Sequence, residues 1–339
     1  MKKRYWIAGA SGLTGAAIAA KILMRPRDAA FEEHRDGLEN AELSRFIEVD
    51  GARVHYQEAG DKGARTLMLI HGFGASNVVW ANVILPLADA GFHVVAPDLI
   101  GFGFSEKPHD AEYTIEWQAR NVIRLMDELQ IDRATLVGSS YGGAVADFCA
   151  LDFPDRVERL VLVDAVTNNE PKKQFLARLG ASPVIGELAT PLILSSRWII
   201  KRRARKFYAR QQLPYDDSRF ESRYRIMRTA SAQRAALLTL RRWDAARVES
   251  EAHKIEQPTL LVWGEDDIDI PLENARKLHR MIPNSRLIVF RNCGHVPQEE
   301  FPQEFTEVLL NFCSDRVSGK QIEVAPDSAL VAAVTTERQ

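Results

Sequence analysis

Ala134-Thr135-Leu136-Val137-Gly138-Ser139-Ser140-Tyr141-Gly142-Gly143-Ala144 is the stretch on which the reading of this chain turns. A short β-branched apolar run ends at Gly138, a helix-forming stretch begins after Ser140, and glycines at 138 and 142 bracket the serine in a G-x-S-x-G pattern. A residue at the apex of a sharp strand-to-helix turn has a strained backbone, and only small flanking residues fit around it. Ser140 is therefore the candidate nucleophile. The pentapeptide is short enough to arise by chance, so its neighbours must decide.

A serine hydroxyl attacks a carbonyl only when a base removes its proton. An imidazole in that role needs a carboxylate to fix its tautomer and stabilise the imidazolium. Downstream, Pro258–Gly264 reads as a buried strand, followed at once by Glu265, Asp266 and Asp267. Arg286–Phe290 makes another short strand, followed by Asn292-Cys293-Gly294-His295-Val296-Pro297. The chain order is thus serine, acid, histidine, with the later two on loops at strand ends. A fourth part lies upstream, where the buried run Thr66–Ile70 ends in His71-Gly72-Phe73-Gly74. A backbone N–H of that loop can point at the same carbonyl oxygen as the N–H of Tyr141.

Further motifs accompany these four. Trp80 follows the glycine loop, Asp98-Leu99-Ile100-Gly101-Phe102-Gly103-Phe104-Ser105 follows the next strand, and Trp263-Gly264-Glu265-Asp266-Asp267 runs on to Pro271. With Gly294-His295-Val296-Pro297 they make residues 44–314 resemble the α/β-hydrolase superfamily, and within it bacterial lipases and esterases and the monoacylglycerol lipase-like branch. The resemblance implies Ser140 as nucleophile, His295 as base, Asp267 as acid, and Phe73 and Tyr141 as oxyanion donors through their backbone amides. It implies no metal and no organic cofactor. Tyr141 stands where Met or Leu is more usual in these lipases, which bears on substrate preference. Relatives that open epoxides or remove halides carry Asp at the elbow, where this chain has Ser140. Asp164, Asp266 and Asp269 compete with Asp267 for the acid. Asp98 reads as a turn former and His71 as a support of the oxyanion loop.

Length and composition agree. With 339 residues, 46% hydrophobic and 27% charged, the chain can bury a full core, which excludes a mainly disordered protein. Strand-like runs at 46–49, 53–57, 66–70, 93–97, 134–138, 159–164, 259–264 and 286–290 alternate with helical periodicity near 77–90, 114–129, 141–152, 272–281 and 302–313. This predicts an α/β fold, an eight-stranded, mostly parallel α/β-hydrolase sheet with helices on both faces and a helical cap insertion. Asp50-Gly51 is a hairpin signal, so the sheet begins antiparallel. Cys149, Cys293 and Cys313 lack metal-site spacing and read as free thiols.

The core is predicted at 44–167 and 254–314, with a basic helical cap at 168–253. Asn168–His253 holds 18 Lys plus Arg against 8 Asp plus Glu, a balance of +10 in a chain whose net charge is −2. Arg197–Arg210 concentrates 7 of these cations around Trp198, Ile199, Ile200, Phe207 and Tyr208, a composition suited to an anionic lipid surface. No nucleic-acid motif accompanies the charge. Residues 1–27 are predicted to be a membrane anchor or signal segment. Lys2, Lys3 and Arg4 precede an acid-free run, Tyr5–Met24, whose only charge is Lys21, and Ala17-Ile18-Ala19 offers a cleavage site. Gly9-Ala10-Ser11-Gly12-Leu13-Thr14-Gly15 imitates a dinucleotide-binding loop, but no second strand with an acidic residue follows it. Residues 28–43 read as a linker and 315–339 as a flexible tail. The expectation is a membrane-associated serine hydrolase acting on a small-molecule ester or lipid. Carbon–carbon bond hydrolysis, amide cleavage and perhydrolysis are rival reactions on the same scaffold, and a non-catalytic ligand binder is the rival class. A periplasmic or secreted protein after signal cleavage, or a cytoplasmic one, is the alternative location.

Overall fold

A computed structural model describes residues 25–170, 182–183, 185–209, 217–314 and 330–331. Eight strands occupy the predicted runs: β1 (Ser44–Val49), β2 (Ala52–Ala59), β3 (Thr66–Ile70), β4 (His93–Pro97), β5 (Ala134–Ser139), β6 (Val157–Val163), β7 (Thr259–Gly264) and β8 (Ser285–Phe290). A two-residue strand, β9 (Leu330–Val331), pairs antiparallel with β8 at the edge, within the stretch expected to be a tail. The order across the sheet is β1-β2-β4-β3-β5-β6-β7-β8-β9. Asp50 and Gly51 both take positive φ, 54° and 77°, and Val49 pairs with Ala52, so β1 and β2 form the expected two-residue hairpin. From β4 to β8 the neighbouring pairs are parallel.

Every residue of β3, β5 and β7 is buried, as expected of strands covered on both faces. Their side chains, and those at the end of β6, alternate between two cores. Met68, Ile70, Leu136, Leu162, Leu261 and Trp263 join one, while Leu67, Leu69, Val137, Val163, Leu260 and Val262 join the other. The first core is covered by α2 (Ile115–Glu128), α3 (Tyr141–Asp152) and α9 (Leu272–Met281), and the second by α1 (Ala81–Asp89) and α11 (Pro302–Cys313). Each fully buried aliphatic side chain contributes roughly 1.5–3 kcal/mol, so the alternation fixes which face each helix must cover.

Between β6 and β7 the chain forms α4 (Ile185–Leu194), α5 (Arg197–Arg205), α6 (Asp217–Met227), α7 (Ala230–Arg241) and α8 (Ala246–Glu251). The N-terminal run 1–24, residues 171–181, 184 and 210–216 of the basic insertion, and 315–329 and 332–339 of the tail lie outside the described residues. Among the described residues no helix is long and apolar enough to cross a membrane. All three cysteines are free and buried.

Candidate active site

Ser140 follows β5, Asp267 follows β7 and His295 follows β8, so all three sit beyond the carboxyl ends of parallel strands, with Ser140 beside the point between β3 and β5 where the strand order reverses. Ser140 has φ 54° and ψ −118°, a conformation L-residues rarely adopt. Its surroundings impose this geometry. The Ser140 amide donates to Val163 O at 2.9 Å, and Ser140 O accepts from the Gly143 and Val166 amides. A Cβ at Gly142 would lie 2.4 Å from both Ile70 O and His71 O, and one at Gly138 would lie 2.3 Å from Gly142 O, so neither position accepts a larger residue.

His295 Nδ1 lies 2.7 Å from Asp267 Oδ2, and both side chains are buried. The other Asp267 oxygen accepts the Asp269 amide at 2.7 Å and the Ile270 amide at 3.1 Å. Burial alone would raise the Asp267 carboxyl, yet the His295 ring and these two amides hold it below its ordinary range. Burial likewise opposes charge on His295, and the Asp267 carboxylate outweighs it, raising the imidazole above its ordinary value of 6.5. The pair leaves Nε2 of His295 as the base atom. Ser140 and His295 line one cavity, although no hydrogen bond joins them in this conformation. Apo sites often close that bond only around substrate.

The loop expected to hold the oxyanion passes beside the serine, since a Cβ at Gly72 would be 3.0 Å from Ser140 Cβ. Tyr141 is the first residue of α3, so its amide has no intrahelical acceptor. His71 supports the loop. Its Nδ1 meets Gly72 O at 2.8 Å, its Nε2 accepts the Leu99 amide at 3.0 Å, and burial holds it below the ordinary imidazole range.

The competing acids separate cleanly. Glu265 and Asp266 are exposed, and Asp269 pairs with Arg203 at 2.7 Å. Asp98 does more than form a turn: it accepts from the Asn77 and Phe104 amides and meets His55 Nδ1 at 2.7 Å, a second buried His–Asp pair remote in role from the first. Asp164, at φ 42° after β6, accepts the Gly264 amide through Oδ1 at 2.9 Å. One donor atom from each of Asp164, Asp267 and His295 lies within 4.8 Å of the others. Two buried carboxyls this close cannot both ionise. Asp267 has the imidazole and two amides, so it keeps the charge, and burial with that neighbour drives Asp164 far above the carboxylate range.

The cavity measures about 670 Å³ and its wall is mostly apolar. Trp243 packs on Tyr141 at 4.9 Å between ring centroids and on Phe73 at 5.9 Å, and Phe102 packs on Phe73 at 5.8 Å. Trp243 and the wall residues of α6 and α7 escaped the sequence reading, because nothing in their local pattern reveals which way the insertion folds, whereas Trp198, Ile199, Ile200, Arg203, Phe207 and Tyr208, expected at a lipid surface, line the cavity.

A model of the α/β-hydrolase fold family matches residues 65–302. The chain belongs to the α/β-hydrolase fold family. It is 31% identical over 282 residues to a 2-hydroxy-6-oxo-2,4-heptadienoate hydrolase of Pseudomonas putida, covering 80% of this chain and 97% of that one. Among solved structures, a meta-cleavage product hydrolase of Pseudomonas fluorescens superposes with a TM-score of 0.67 at 26% identity, covering 80% of this chain and 98% of that one. A membrane phospholipase A described as a bacterial virulence factor superposes with a TM-score of 0.68 at 27% identity, covering 93% of this chain and 98% of that one. This α/β hydrolase is a hydrolytic enzyme.

If the raised imidazole is the base, kcat/KM increases with pH through a midpoint above 6.5. The sign follows from the proton count: only neutral His295 accepts the serine proton. The stabilisation given by charged His295 is full below the unfolded value and is lost as pH rises through the folded one. A pH–rate profile with its midpoint below that of free imidazole contradicts this assignment.

Proposed function

We propose that the enzyme cleaves carboxylic esters with an apolar acyl group by a serine mechanism. Ser140 Oγ attacks the carbonyl carbon as His295 Nε2 takes its proton, and the Phe73 and Tyr141 amides receive the developing oxyanion. The imidazolium then protonates the departing alcohol, leaving an acyl-serine that a water molecule, activated by the same imidazole, hydrolyses. The observation that carries this reading is the wall beside Ser140: apolar side chains dominate, and the more deeply seated cations are neutralised. Arg203 pairs with Asp269, and Arg223 pairs with Glu299 at 2.8 Å and Glu39 at 3.3 Å. Arg202 and Lys206 are exposed.

Carbon–carbon bond hydrolysis is the second reading, and the Pseudomonas putida hydrolase and the solved meta-cleavage product hydrolase favour it over ester cleavage. A 2-hydroxy-6-oxo-2,4-heptadienoate has neither ester nor amide, so its hydrolysis must break a bond between carbons. That substrate carries a carboxylate, and among the described residues the cavity's remaining cations, Arg202 and Lys206, are at the exposed rim. Support for the lipid-directed reading comes from the phospholipase, whose match spans 93% of this chain against 80% for the meta-cleavage hydrolase.

The test is kcat/KM for p-nitrophenyl esters of rising chain length beside 2-hydroxy-6-oxo-2,4-heptadienoate. Each methylene buried in the cavity adds up to about 0.8 kcal/mol, roughly fourfold, until the cavity is full. Preference for the dienoate over every ester selects the second reading. Assaying sedimented and soluble fractions of the full chain checks the proposed anchor at Tyr5–Met24, and activity wholly in the detergent-free soluble fraction overturns it.

A further inference from the structure

The insertion does not merely roof the cavity, since it also grips the loops that bear the acid and the base. The His295 amide donates to Phe207 O at 2.6 Å, and the Phe207 ring packs on the His295 ring at 5.4 Å between centroids. A Cβ at Gly294 would lie 2.3 Å from Phe207 O, so the residue before the base must be small for this contact to form. Ala209 N and Gly294 N donate to the two oxygens of Glu300, and Tyr208 donates to Glu299. Residues 207–209 thus form a strap laid directly across the His295 loop.

Arg203, one turn earlier at the end of α5, closes the circuit. Its guanidinium bonds Asp269 Oδ1 at 2.7 Å and lies 5.1 Å above the Phe207 ring. Asp269 in turn donates its amide to Asp267 Oδ1. One side chain therefore touches the loop of the acid and the ring that packs on the base. We propose that Arg203 is a positioning residue, which couples the insertion to the Asp267–His295 pair through Asp269 and Phe207. The proposal rests on the serine-hydrolase reading of Ser140 and His295.

Electrostatics gives this role a signature that packing alone lacks. Among the described residues, the charged or titratable groups around His295 include Asp267 and Asp269 after β7, Arg203 on α5, Asp164 after β6, Cys293 on its own loop, Tyr208 in the strap, and Glu299 and Glu300 in the short helix α10 (Pro297–Glu300). Asp269 favours the imidazolium and Arg203 disfavours it. Removing either member of this pair moves the imidazole in opposite directions.

The experiment compares Arg203→Gln, Arg203→Lys and Asp269→Asn with the full-length enzyme. It measures the pH profile of fluorophosphonate labelling, steady-state kinetics on p-nitrophenyl butyrate, and melting temperature. Arg203→Gln is expected to raise the pH midpoint and Asp269→Asn to lower it, each by about 0.5–1 unit, with Arg203→Lys staying near wild type. Labelling of Arg203→Gln at neutral pH falls about tenfold, and with p-nitrophenyl butyrate the loss is in kcat rather than in KM. Midpoints that move together or not at all overturn the proposal. So does a change in KM with labelling intact, which makes Arg203 a substrate contact, or a change in melting temperature alone. Loss of labelling in Ser140→Ala while the Arg203 variants behave as wild type leaves the serine mechanism standing and removes only the coupling.

Discussion

Ser140→Ala lowers ester turnover by about 10⁶-fold, the loss expected when the nucleophile of a triad is removed, and abolishes fluorophosphonate labelling. The scale follows from cooperation within the site. Without Oγ, the imidazole and the oxyanion amides have no attacking group to serve, and what remains is binding and polarisation of the carbonyl. The variant is expected to fold, because the Ser140 hydroxyl makes no capping hydrogen bond and the elbow is held by backbone contacts. Residual turnover within tenfold of wild type, measured on the preferred ester, removes Ser140 from the reaction.

Asp267→Asn is expected to lower kcat by about 10⁴-fold, whereas Asp164→Asn changes it less than about threefold. The two substitutions are chemically identical and the two side chains are neighbours, so the contrast isolates charge. An amide at 267 can present its NH₂ to His295 Nδ1, which favours the wrong tautomer and withdraws the negative charge that stabilises the imidazolium. At 164 burial and the neighbouring Asp267 carboxylate favour the neutral form, and an amide oxygen can still accept the Gly264 N–H. Kinetics on both variants decide the matter: a large loss at 164 with little at 267 transfers the acid role to the strand β6 position.

Much of this was legible before any coordinates. The central strands are buried on both faces, so they read as unbroken apolar runs, and the elbow glycines are dictated by backbone passing within 2.4 Å of the position a Cβ would take. Ser140 directly follows such a strand, and Asp267 and His295 stand on the loops that leave β7 and β8, which is why the candidates could be placed. The rest was hidden for a physical reason. Arg203 bonds Asp269 across 66 residues, and Tyr208 meets Glu299 across 91, so no local periodicity carries the pairing. The raised Asp164 carboxyl reflects burial and Asp267, and the His55–Asp98 pair ties β2 to the loop after β4 across 43 residues. Composition identified a basic insertion; its grip on the base required three dimensions.

The hydrogen bond from the His295 amide to Phe207 O has a consequence for protein engineering. Insertions between the sixth and seventh strands are inviting modules to exchange when a new specificity is sought, as if the scaffold beneath were self-sufficient. Here the graft would carry away an acceptor for the base's own backbone. A chimera that matches pocket shape alone should therefore inherit a misaligned proton acceptor, whereas one that retains 203–209 with Asp269 and Gly294 keeps the chemistry while its selectivity is redrawn.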